Sequence, residues 1–531
     1  MSSDQFAVPS VAEPTEIPDS LTANCNLQTA RTACLIFLGC PKNQVDSEHV
    51  LGSLTEAGYS LTTEPRSADL IVITTCAFLQ SAVRESEAAI EEGLKLKQGS
   101  SSKRIVVAGC LVERYGKSLK RKFPAVDLWV PLRDMSRIPR LMAASRKLQA
   151  SSSKKSSSCT LQLASCTDTP RVLSTPRHFA YLKIADGCDN RCSYCMIPDI
   201  RGPFSSRPMQ DIVAEARDLA RAGVKELILV AQDTTLYGTD FRTGVHHKDT
   251  KTQSPIQVGF QGEPQLAGLL KELGKIDGIR WLRLMYTHPA HITEDVIDQF
   301  ASNPKLCRYI DLPIQHVADH LLDKMNRHYT RQDVEVLIES LRAIPDMHIR
   351  TTIIVGLPGE TARDFDELLA FVRAARFDRL SCYAFSPEPG TKAARLPAQV
   401  SPAVKKERVR RLMLAQAAIS RANLKKLVGR RLTVLVDTKE DNRQERQGSD
   451  TESYHQDTKS PRECRQESGP DAATGNCQLE TGNSLCVGRT QWDAPEIDGV
   501  VRLSGRKTSP GRFVTALVTS SSTHDLSARV Q

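Results

Sequence analysis

A nine-residue stretch, GCDNRCSYC at residues 187–195, carries three cysteines whose spacing suits metal chemistry. Cys188, Cys192 and Cys195 are separated by three and then two residues; we call them the second trio. Structural zinc nearly always takes four Cys or His ligands, but His178 precedes the adjoining predicted strand and the next histidine is far downstream. Three thiolates on a four-iron cubane leave one iron open. The spacing therefore favours an iron–sulfur cluster whose fourth ligand is a substrate or cofactor.

Three further cysteines each stand directly after a predicted strand. Cys40 follows LIFLG, Cys76 follows IVITT and Cys110 follows VVAG; we call them the first trio. The carboxyl ends of parallel strands share one edge of a sheet, where ligands collect. A cysteine can also simply fill a buried strand end. Its recurrence at the same point of three successive strands favours a common binding site instead.

The surrounding sequence predicts an α/β protein with three folded parts. Residues 31–145 alternate strands with helices such as SEHVLGSLTEAG, which predicts a parallel sheet covered on both faces. Residues 175–426 contain about six strand–helix units, which predict a whole or partial barrel. Residues 427–531 have short alternating strands with glycine-containing turns, typical of a small antiparallel β-barrel.

Four polar segments interrupt this pattern. They are poor in apolar residues or rich in Ser, Pro and Thr, so they cannot bury enough surface to fold by themselves. We expect a disordered arm at residues 1–30, a Ser-rich linker at 146–174, and insertions at 241–264 and 439–485.

The composition limits the possible classes of protein. A chain of 531 residues exceeds one hydrophobic core. No apolar run reaches the roughly 20 residues of a membrane span, and acidic residues such as Asp4 and Glu13 near the start argue against a targeting peptide. We therefore expect a soluble cytoplasmic protein that makes no membrane contact. The net charge of +9 permits RNA contact without requiring it. Fifteen cysteines in such a chain indicate metal or redox chemistry rather than disulfides.

The cysteine motifs resemble those of a known enzyme family. GCDNRCSYC followed by MIP resembles the signature of the radical S-adenosylmethionine (SAM) superfamily. GCPKNQVDSE, TTCAF and AGCLVERY resemble the amino-terminal domain of the methylthiotransferases, and the tail resembles their TRAM domain. The resemblance covers about residues 31–530 apart from the polar interruptions. It implies two 4Fe-4S clusters, one on each trio, with SAM on the open iron of the second.

The resemblance also implies a division of labour between the clusters. The cluster on the second trio would supply the electron that cleaves SAM, so that a deoxyadenosyl radical removes hydrogen from an unactivated carbon. The cluster on the first trio would carry the inserted sulfur, and a second SAM would supply the methyl group. Cofactors perform this chemistry while the protein positions them. An electron donor such as flavodoxin or ferredoxin and a source of sulfur are implied partners, and we expect a monomer.

Two branches of the family compete. The MiaB-like branch modifies an adenosine of transfer RNA, and the RimO-like branch modifies the β-carbon of an aspartate in protein twelve of the small ribosomal subunit, free or on the ribosome. GCPKNQVDSE, rather than the GCQMN type, resembles the RimO-like branch, as do RGPFSSRP, AQDTTLYG, MYTHPAH, DLPIQH and DAPEIDG. A tRNA adenosine 2-methylthiotransferase and a non-catalytic iron–sulfur or RNA-binding scaffold remain the alternatives.

The charge of the tail is a weak guide to the partner. From Ser484 onward there are six Lys or Arg against four Asp or Glu, with Trp492 and Phe513 as the aromatics. This is a poor nucleic-acid footprint. The acidic run Asp493, Glu496 and Asp498 would suit a basic ribosomal protein, although such a run is more often a solvated turn.

Four other residues are candidate cofactor contacts. Gly356 and Gly359 lie in IIVGLPGE, which resembles the strand end near the adenine of SAM, although a plain strand-to-helix turn explains the glycines equally well. Gln232 and Asp233 end a predicted barrel strand, where barrel enzymes keep their sites. We interpret three nearby histidines as structural and nine other cysteines as incidental. These are His288, His291 and His316, and Cys25, Cys34, Cys159, Cys166, Cys307, Cys382, Cys464, Cys477 and Cys486.

Overall fold

A computed structural model describes most of the predicted folded parts. The predicted arm lies outside the described residues, as do most of the linker and nearly all of both insertions. The described ranges are 31–99, 102–150 (side chains to residue 144), 171–241, 264–439 and 485–531. The chain divides into two compact units, Met1–Ser420 and Arg421–Gln531.

The first domain of the larger unit is a five-stranded parallel sheet between helices. The strands Leu70–Thr75 and Arg104–Gly109 are almost wholly buried, because helices cover both faces of such a parallel sheet. Ile71 and Ile73 face one hydrophobic layer, and Leu70 and Val72 face the other. The elements are β1 (Thr32–Phe37), α1 (Pro41–Glu56), β2 (Ser60–Leu61), β3 (Leu70–Thr75), α2 (Gln80–Gln98), β4 (Arg104–Gly109), α3 (Cys110–Lys122), β5 (Leu128–Val130) and α4 (Ile138–Ala150).

The strand order of this sheet is β2-β1-β3-β4-β5, so the winding direction reverses between β1 and β3. Two boundaries differ from the prediction. Helix α1 begins at Pro41 rather than at residue 47, because proline suits the first helical position. Helix α4 continues to Ala150, beyond the predicted domain end at residue 145.

The second domain of this unit is an open six-stranded parallel sheet with the order β13-β12-β11-β10-β9-β6. This arrangement confirms the partial barrel. The elements are β6 (Phe179–Lys183), β7 (Ala185–Asp186), α5 (Ile197–Arg201), β8 (Ser205–Ser206), α6 (Met209–Arg221), β9 (Glu226–Val230), α7 (Leu266–Gly274), β10 (Trp281–Leu284), α8 (Glu294–Ser302), β11 (Leu306–Asp311), α9 (Asp319–Lys324), α10 (Arg331–Arg342), β12 (His348–Val355), α11 (Ala362–Ala375), β13 (Arg379–Ala384) and α12 (Pro402–Lys425).

The carboxyl-terminal unit is a closed five-stranded barrel with the order β14-β15-β16-β18-β17. Its strands are β14 (Arg431–Lys439), β15 (Cys486–Arg489), β16 (Val501–Gly505), β17 (Phe513–Ser521) and β18 (Leu526–Val530). Alternate residues Leu432, Val434 and Val436 of β14 fill the interior. The barrel was expected to be antiparallel, and four of its pairings are, but β16 and β18 run parallel. The compact unit starts at residue 421, slightly before the predicted boundary at 427.

Among the described residues, no helix combines the length and the apolar composition that a membrane span requires.

Candidate active site

The first trio gathers at the carboxyl edge of the first sheet. Cys40 caps the start of α1, Cys76 follows β3 and Cys110 is the first residue of α3. The reversal between β1 and β3 opens a crevice at this edge, as in other open parallel sheets. Burial, together with the nearby thiols of Cys40 and Cys76, raises the pKa of Cys110 to about 12, although the charge of Arg201 opposes the rise. The three cysteines therefore share one edge of the sheet, within electrostatic reach of one another.

Asn43 and Gly109 fix the geometry of this edge. The Asn43 side-chain amide donates to the carbonyl oxygens of Leu38 (2.8 Å) and Thr75 (3.1 Å), so it joins the ends of β1 and β3. Gly109 has φ +102°, and a Cβ there would lie 3.0 Å from the Thr75 carbonyl oxygen. The glycine therefore lets Cys110 approach the neighbouring strand closely.

Cys40 differs electrostatically from its two partners. Burial alone would raise its pKa, but the charges of Lys42 and Arg201 and the backbone N–H groups of Asn43 and Lys42 bring the pKa below its usual value. In Cys76, by contrast, burial raises the pKa. The thiolate is the form that binds metal, so the surroundings of Cys40 favour ligation.

The second trio occupies the loop between β7 and α5. Cys195 donates its backbone N–H to the Cys192 carbonyl oxygen at 3.0 Å, which curls the loop. Gly187, with φ +71°, precedes it, and a Cβ there would lie 2.0 Å from the Pro203 carbonyl oxygen. Burial raises the pKa of Cys195 to about 12, and the Cys192 thiol adds to the rise. The turn therefore places three partly buried thiols on one short loop.

Residues distant in sequence hold this loop. The Ser193 backbone N–H donates to the Met325 carbonyl oxygen at 3.0 Å, and the Ser193 carbonyl oxygen accepts from the Ala393 N–H at 2.8 Å. The Asn326 side-chain amide donates to the Asn190 carbonyl oxygen at 2.9 Å. The loop geometry thus depends on the segments that follow α9 and β13.

Arg327 contacts a sulfur atom of the second trio directly. Its Nη1 lies 3.7 Å from Cys192 Sγ and donates to it. The guanidinium is held by Tyr329 Oη (2.9 Å from Nε) and the Pro313 carbonyl oxygen (2.7 Å from Nη2). A buried cation is therefore fixed against this trio.

Arg201 connects the surroundings of the two trios. It ends α5, just after the second trio, and its side chain is only 1% exposed. It forms ion pairs with Asp186 (2.8 Å) and with Asp46 of α1 (3.1 Å), and Asp46 also pairs with Lys183. Its charge lowers the pKa of Cys40 in the first trio. The two domains therefore bring both trios to one shared region.

Asp233 has a full set of hydrogen-bond partners within the protein. The Asp233 carboxylate accepts from the Asn190 amide (2.7 Å), contacts His291 Nδ1 (2.9 Å) and accepts from Thr235 N–H (3.0 Å) and Oγ1 (2.5 Å). These contacts fill the roughly four acceptor positions of a carboxylate, and Asp233 thus ties the second trio's loop to β9. Burial would raise the Asp233 pKa, but the His291 contact helps hold it far below the usual range.

Unpaired polar atoms surround the carboxyl ends of the barrel strands. Within the described ranges, the side-chain amide nitrogen and oxygen of Gln232 are buried without a hydrogen-bond partner. The same holds for His288 Nε2, Gln315 Oε1 and His316 Nε2, which follow β10 and β11. Each such group costs about 1–3 kcal/mol when unpaired. This region therefore suits a polar ligand.

The histidines have structural contacts as well. His288 Nδ1 and His316 Nδ1 accept from the backbone N–H groups of Ala290 (3.2 Å) and Ala318 (3.0 Å). The His288 and His291 rings stack with centroids 4.4 Å apart. With Asp233 they place three possible ligand atoms within 4.8 Å of one another.

Gly356 and Gly359 lie beside lysine side chains. Both have positive φ, at +78° and +83°. A Cβ on Gly356 would meet Lys405 Cγ at 2.3 Å, and one on Gly359 would meet Lys324 Nζ at 2.6 Å. The backbone N–H of Gly356 also donates to the Glu360 carboxylate. The turn thus has its own packing partners, and contact with SAM stays a prediction.

Family models match all three parts of this architecture. Residues 182–372 match the radical SAM superfamily, residues 32–131 the uncharacterized protein family UPF0004, and residues 479–530 the TRAM domain. The solved radical SAM methyltransferase TsrM from Kitasatospora setae aligns with a TM-score of 0.48 at 15% identity, covering 68% of this chain and 77% of its own.

Curated relatives match along nearly their whole length. The ribosomal protein uS12 methylthiotransferase RimO of Geobacter sulfurreducens is 38% identical over 493 residues, covering 93% of this chain and 97% of the relative. RimO of Anaeromyxobacter sp. (strain Fw109-5) is 40% identical over 496 residues, covering 93% and 92%. The chain belongs to the RimO family. It is therefore a radical SAM methylthiotransferase that uses SAM with iron–sulfur chemistry.

The residues of this RimO-family chain fit those cofactors. Each trio offers three thiols, of which Cys110 is buried and the other five are partly buried, and the unpaired atoms of Gln232 and its neighbours would form hydrogen bonds with the polar groups of SAM. Of the cysteines interpreted as incidental, Cys34, Cys307, Cys382 and Cys486 are buried and the other five lie outside the described residues.

Sequence reasoning missed four residues of this RimO-family site: Lys42, Arg201, Tyr286 and Arg327. The first three lie in GCPKNQVDSE, RGPFSSRP and MYTHPAH, which were read only as family resemblance. A basic residue two positions after a ligand cysteine is a usable signal for Lys42. Arg327 carries no such signal, because its contact with Cys192 spans 135 residues.

The acidic run of the tail is mostly used internally. Asp493 is 3% exposed and accepts from Thr490 Oγ1 at 2.6 Å. Asp498 accepts from the Ala494 N–H at 2.9 Å. Of the three carboxylates, Glu496 alone is exposed, so the structure favours the turn over an acidic docking surface.

Proposed function

We propose that this chain methylthiolates the β-carbon of an aspartate in ribosomal protein uS12. The observation that carries the proposal is the approach of two cysteine trios around Arg201 in a chain that is 38% identical to a RimO over 97% of that relative. The substrate is inferred from the printed name of such relatives, uS12 methylthiotransferase.

Two 4Fe-4S clusters are part of this proposal, one on each trio. When bound, they would supply the electron that cleaves SAM and a site for the sulfur that is inserted. The chain's own residues would hold and orient them. Arg327 donates to Cys192, and the charges of Arg201 and Lys42 lie beside Cys40. These cations would offset the negative charge of the thiolates.

Other residues of the barrel would position SAM. Gln232 offers a buried donor and a buried acceptor, and His288 offers a ring nitrogen. Because His288 Nδ1 accepts from a backbone N–H, the neutral ring carries its proton on Nε2 and can donate from there. Asp233 would act by holding the cysteine loop, and Gly356 and Gly359 by shaping the turn after β12.

The remaining requirements are partners. We propose an electron donor such as flavodoxin or ferredoxin, a separate sulfur source, and a monomeric enzyme that acts in the cytoplasm, where ribosomal proteins are found. The substrate would be uS12 either free or within the ribosome.

One experiment tests the proposal directly. The protein is purified anaerobically, its iron and sulfide are counted, and it is incubated with SAM, a reductant and sulfide. Purified uS12 and unmodified transfer RNA serve as parallel substrates. Mass spectrometry should show a methylthio group on one aspartate of uS12. A methylthio group on the RNA, or SAM cleavage without any product, would overturn the proposal.

A further inference from the structure

Lys42 is a buried cation at the start of α1, two residues after Cys40. The residue is only 5% exposed. Its Nζ lies 3.2 Å from the centre of the Tyr286 ring, a close cation–π contact. Lys42 belongs to the first domain and Tyr286 follows β10 of the second. The pair therefore lies where the two domains meet, beside the first trio.

The backbone of Tyr286 is held in an unusual conformation. Its φ is +59°, a left-handed value that costs a non-glycine residue about 1–3 kcal/mol. Its N–H donates to Asp311 Oδ2 at 3.0 Å, and its carbonyl oxygen accepts from Thr234 N–H at 3.0 Å and Oγ1 at 3.2 Å. Three contacts thus fix the residue whose ring faces Lys42.

The nearby acidic groups are engaged with other residues. Lys183 and Arg201 share the carboxylates of Asp46 and Asp186. The Asp311 carboxylate accepts from Tyr286 N–H and lies 3.5 Å from Arg350 Nε.

Among the described residues, the Lys42 ammonium has no ion pair and no hydrogen bond, and it lies over the Tyr286 ring. Burying this charge is costly: burial lowers the pKa of Lys42, and the nearby Cys40, Asp311 and Asp186 offset that effect only in part. A carboxylate supplied by a ligand would remove that cost, whereas a neutral or cationic ligand would not.

We propose that Lys42 binds the side-chain carboxylate of the substrate aspartate and so positions its β-carbon beside the first trio. The inference rests on the proposed function, because it assigns a recognition residue to that reaction. The ring of Tyr286 limits where the ammonium can move, so the carboxylate is held in one place. Lys42 is thus a specificity-determining residue that distinguishes aspartate from its neutral analogue asparagine.

The test measures binding by the full-length holoenzyme without reductant, so that no turnover occurs. Two forms of uS12 are compared, one with the target aspartate and one with asparagine at that position. The wild-type enzyme should bind the aspartate form about tenfold more tightly or better, since a buried charge pair is lost in the other form. In Lys42→Met the two forms should bind within about twofold of each other, because no cation remains to discriminate. Lys95→Met, an exposed lysine of the same domain, should keep the wild-type ratio.

Iron content and SAM cleavage are measured on the same samples, and Lys42→Arg should retain part of the discrimination. A wild-type ratio in Lys42→Met would overturn the inference even if activity fell, because Lys42 would then act on the cluster rather than on the substrate. If wild-type enzyme neither binds nor modifies uS12, the proposed function fails instead. The two failures are therefore distinguishable.

Discussion

The two cysteine trios reach similar surroundings by different routes. The first trio stands on the ends of three strands and helices, so its geometry belongs to the sheet. The second trio lies in one short loop that takes its shape from contacts with Met325, Asn326 and Ala393. A sheet edge unfolds only with its domain, whereas a loop held by a few contacts can open locally at a lower free-energy cost. We therefore expect local changes to disturb the second trio more readily.

Their electrostatic support differs as well. The first trio has cations close by, Lys42 and Arg201, but no described side chain donates from nitrogen to its sulfur atoms. The second trio has a guanidinium that donates directly to a sulfur, from Arg327 to Cys192. This difference would give the two proposed clusters different reduction potentials, since charge and hydrogen bonds to sulfur set those potentials.

The largest expected effect separates the tasks of the two trios. Replacing Cys188, Cys192 and Cys195 together by alanine should abolish reductive cleavage of SAM, because the cluster that delivers the electron is lost. Replacing the first trio by alanine should leave cleavage intact and stop thiolation of uS12. Deoxyadenosine is measured by chromatography and uS12 by mass spectrometry. Thiolation of uS12 by the variant that lacks Cys40, Cys76 and Cys110 would refute the role assigned to the first trio.

One added methyl group, at Gly187, should disrupt the second trio and leave the first trio intact. In Gly187→Ala the new Cβ would lie 2.0 Å from the Pro203 carbonyl oxygen at φ +71°, so the loop must shift. We expect the variant to lose about half of its iron and to stop cleaving SAM, while the cluster of the first trio remains. Iron analysis and electron paramagnetic resonance follow both clusters.

Gly58→Ala is the matched control for this change. Gly58 has φ +83°, but no atom lies within 4 Å of the place that a Cβ would take, so the backbone strain is similar and the clash is absent. It should cost about 1 kcal/mol of stability and no iron. Equal iron loss in both variants would show that backbone strain, and not the loop contact, is responsible.

The same contrast explains how much of the molecule could be predicted. The positions of cysteines after strands could be predicted because buried parallel strands are continuous apolar runs, such as LIVITT of β3. That pattern placed the whole first trio. The second trio could be recognised from the spacing of its cysteines alone. In both cases the information is local, within a few residues of each ligand.

What could not be predicted depends on contacts between distant segments. The left-handed Tyr286 gives no sequence signal, because its conformation is imposed by Thr234 and Asp311. The parallel pairing of β16 with β18 escaped prediction because it joins two strands that are not consecutive in the chain. The place of each cysteine in the fold can therefore be predicted from short motifs, but the groups that orient the cysteines cannot.

The smallest effect that we expect concerns the tuning of the second trio. In Arg327→Met the hydrogen bond from Nη1 to Cys192 Sγ and the charge are both lost. The hydrogen bond and the charge both stabilise the reduced cluster, which is the more negative form. Their loss should therefore lower the reduction potential. A loss of about 1 kcal/mol of preferential stabilisation corresponds to about 40 mV, because about 59 mV equals a tenfold change for one electron. Potentiometric titration followed by electron paramagnetic resonance measures the shift.

Arg191→Met provides the control, because it removes the same charge from an exposed side chain within the second trio's loop. Solvent screens such a charge, so its removal should move the potential much less than Arg327→Met does. The cluster of the first trio should keep its potential in both variants. An equal shift in the two variants would mean that charge alone, and not the hydrogen bond to Cys192, sets the potential. An unchanged potential in Arg327→Met would mean that the guanidinium only holds the fold through Tyr329 and Pro313.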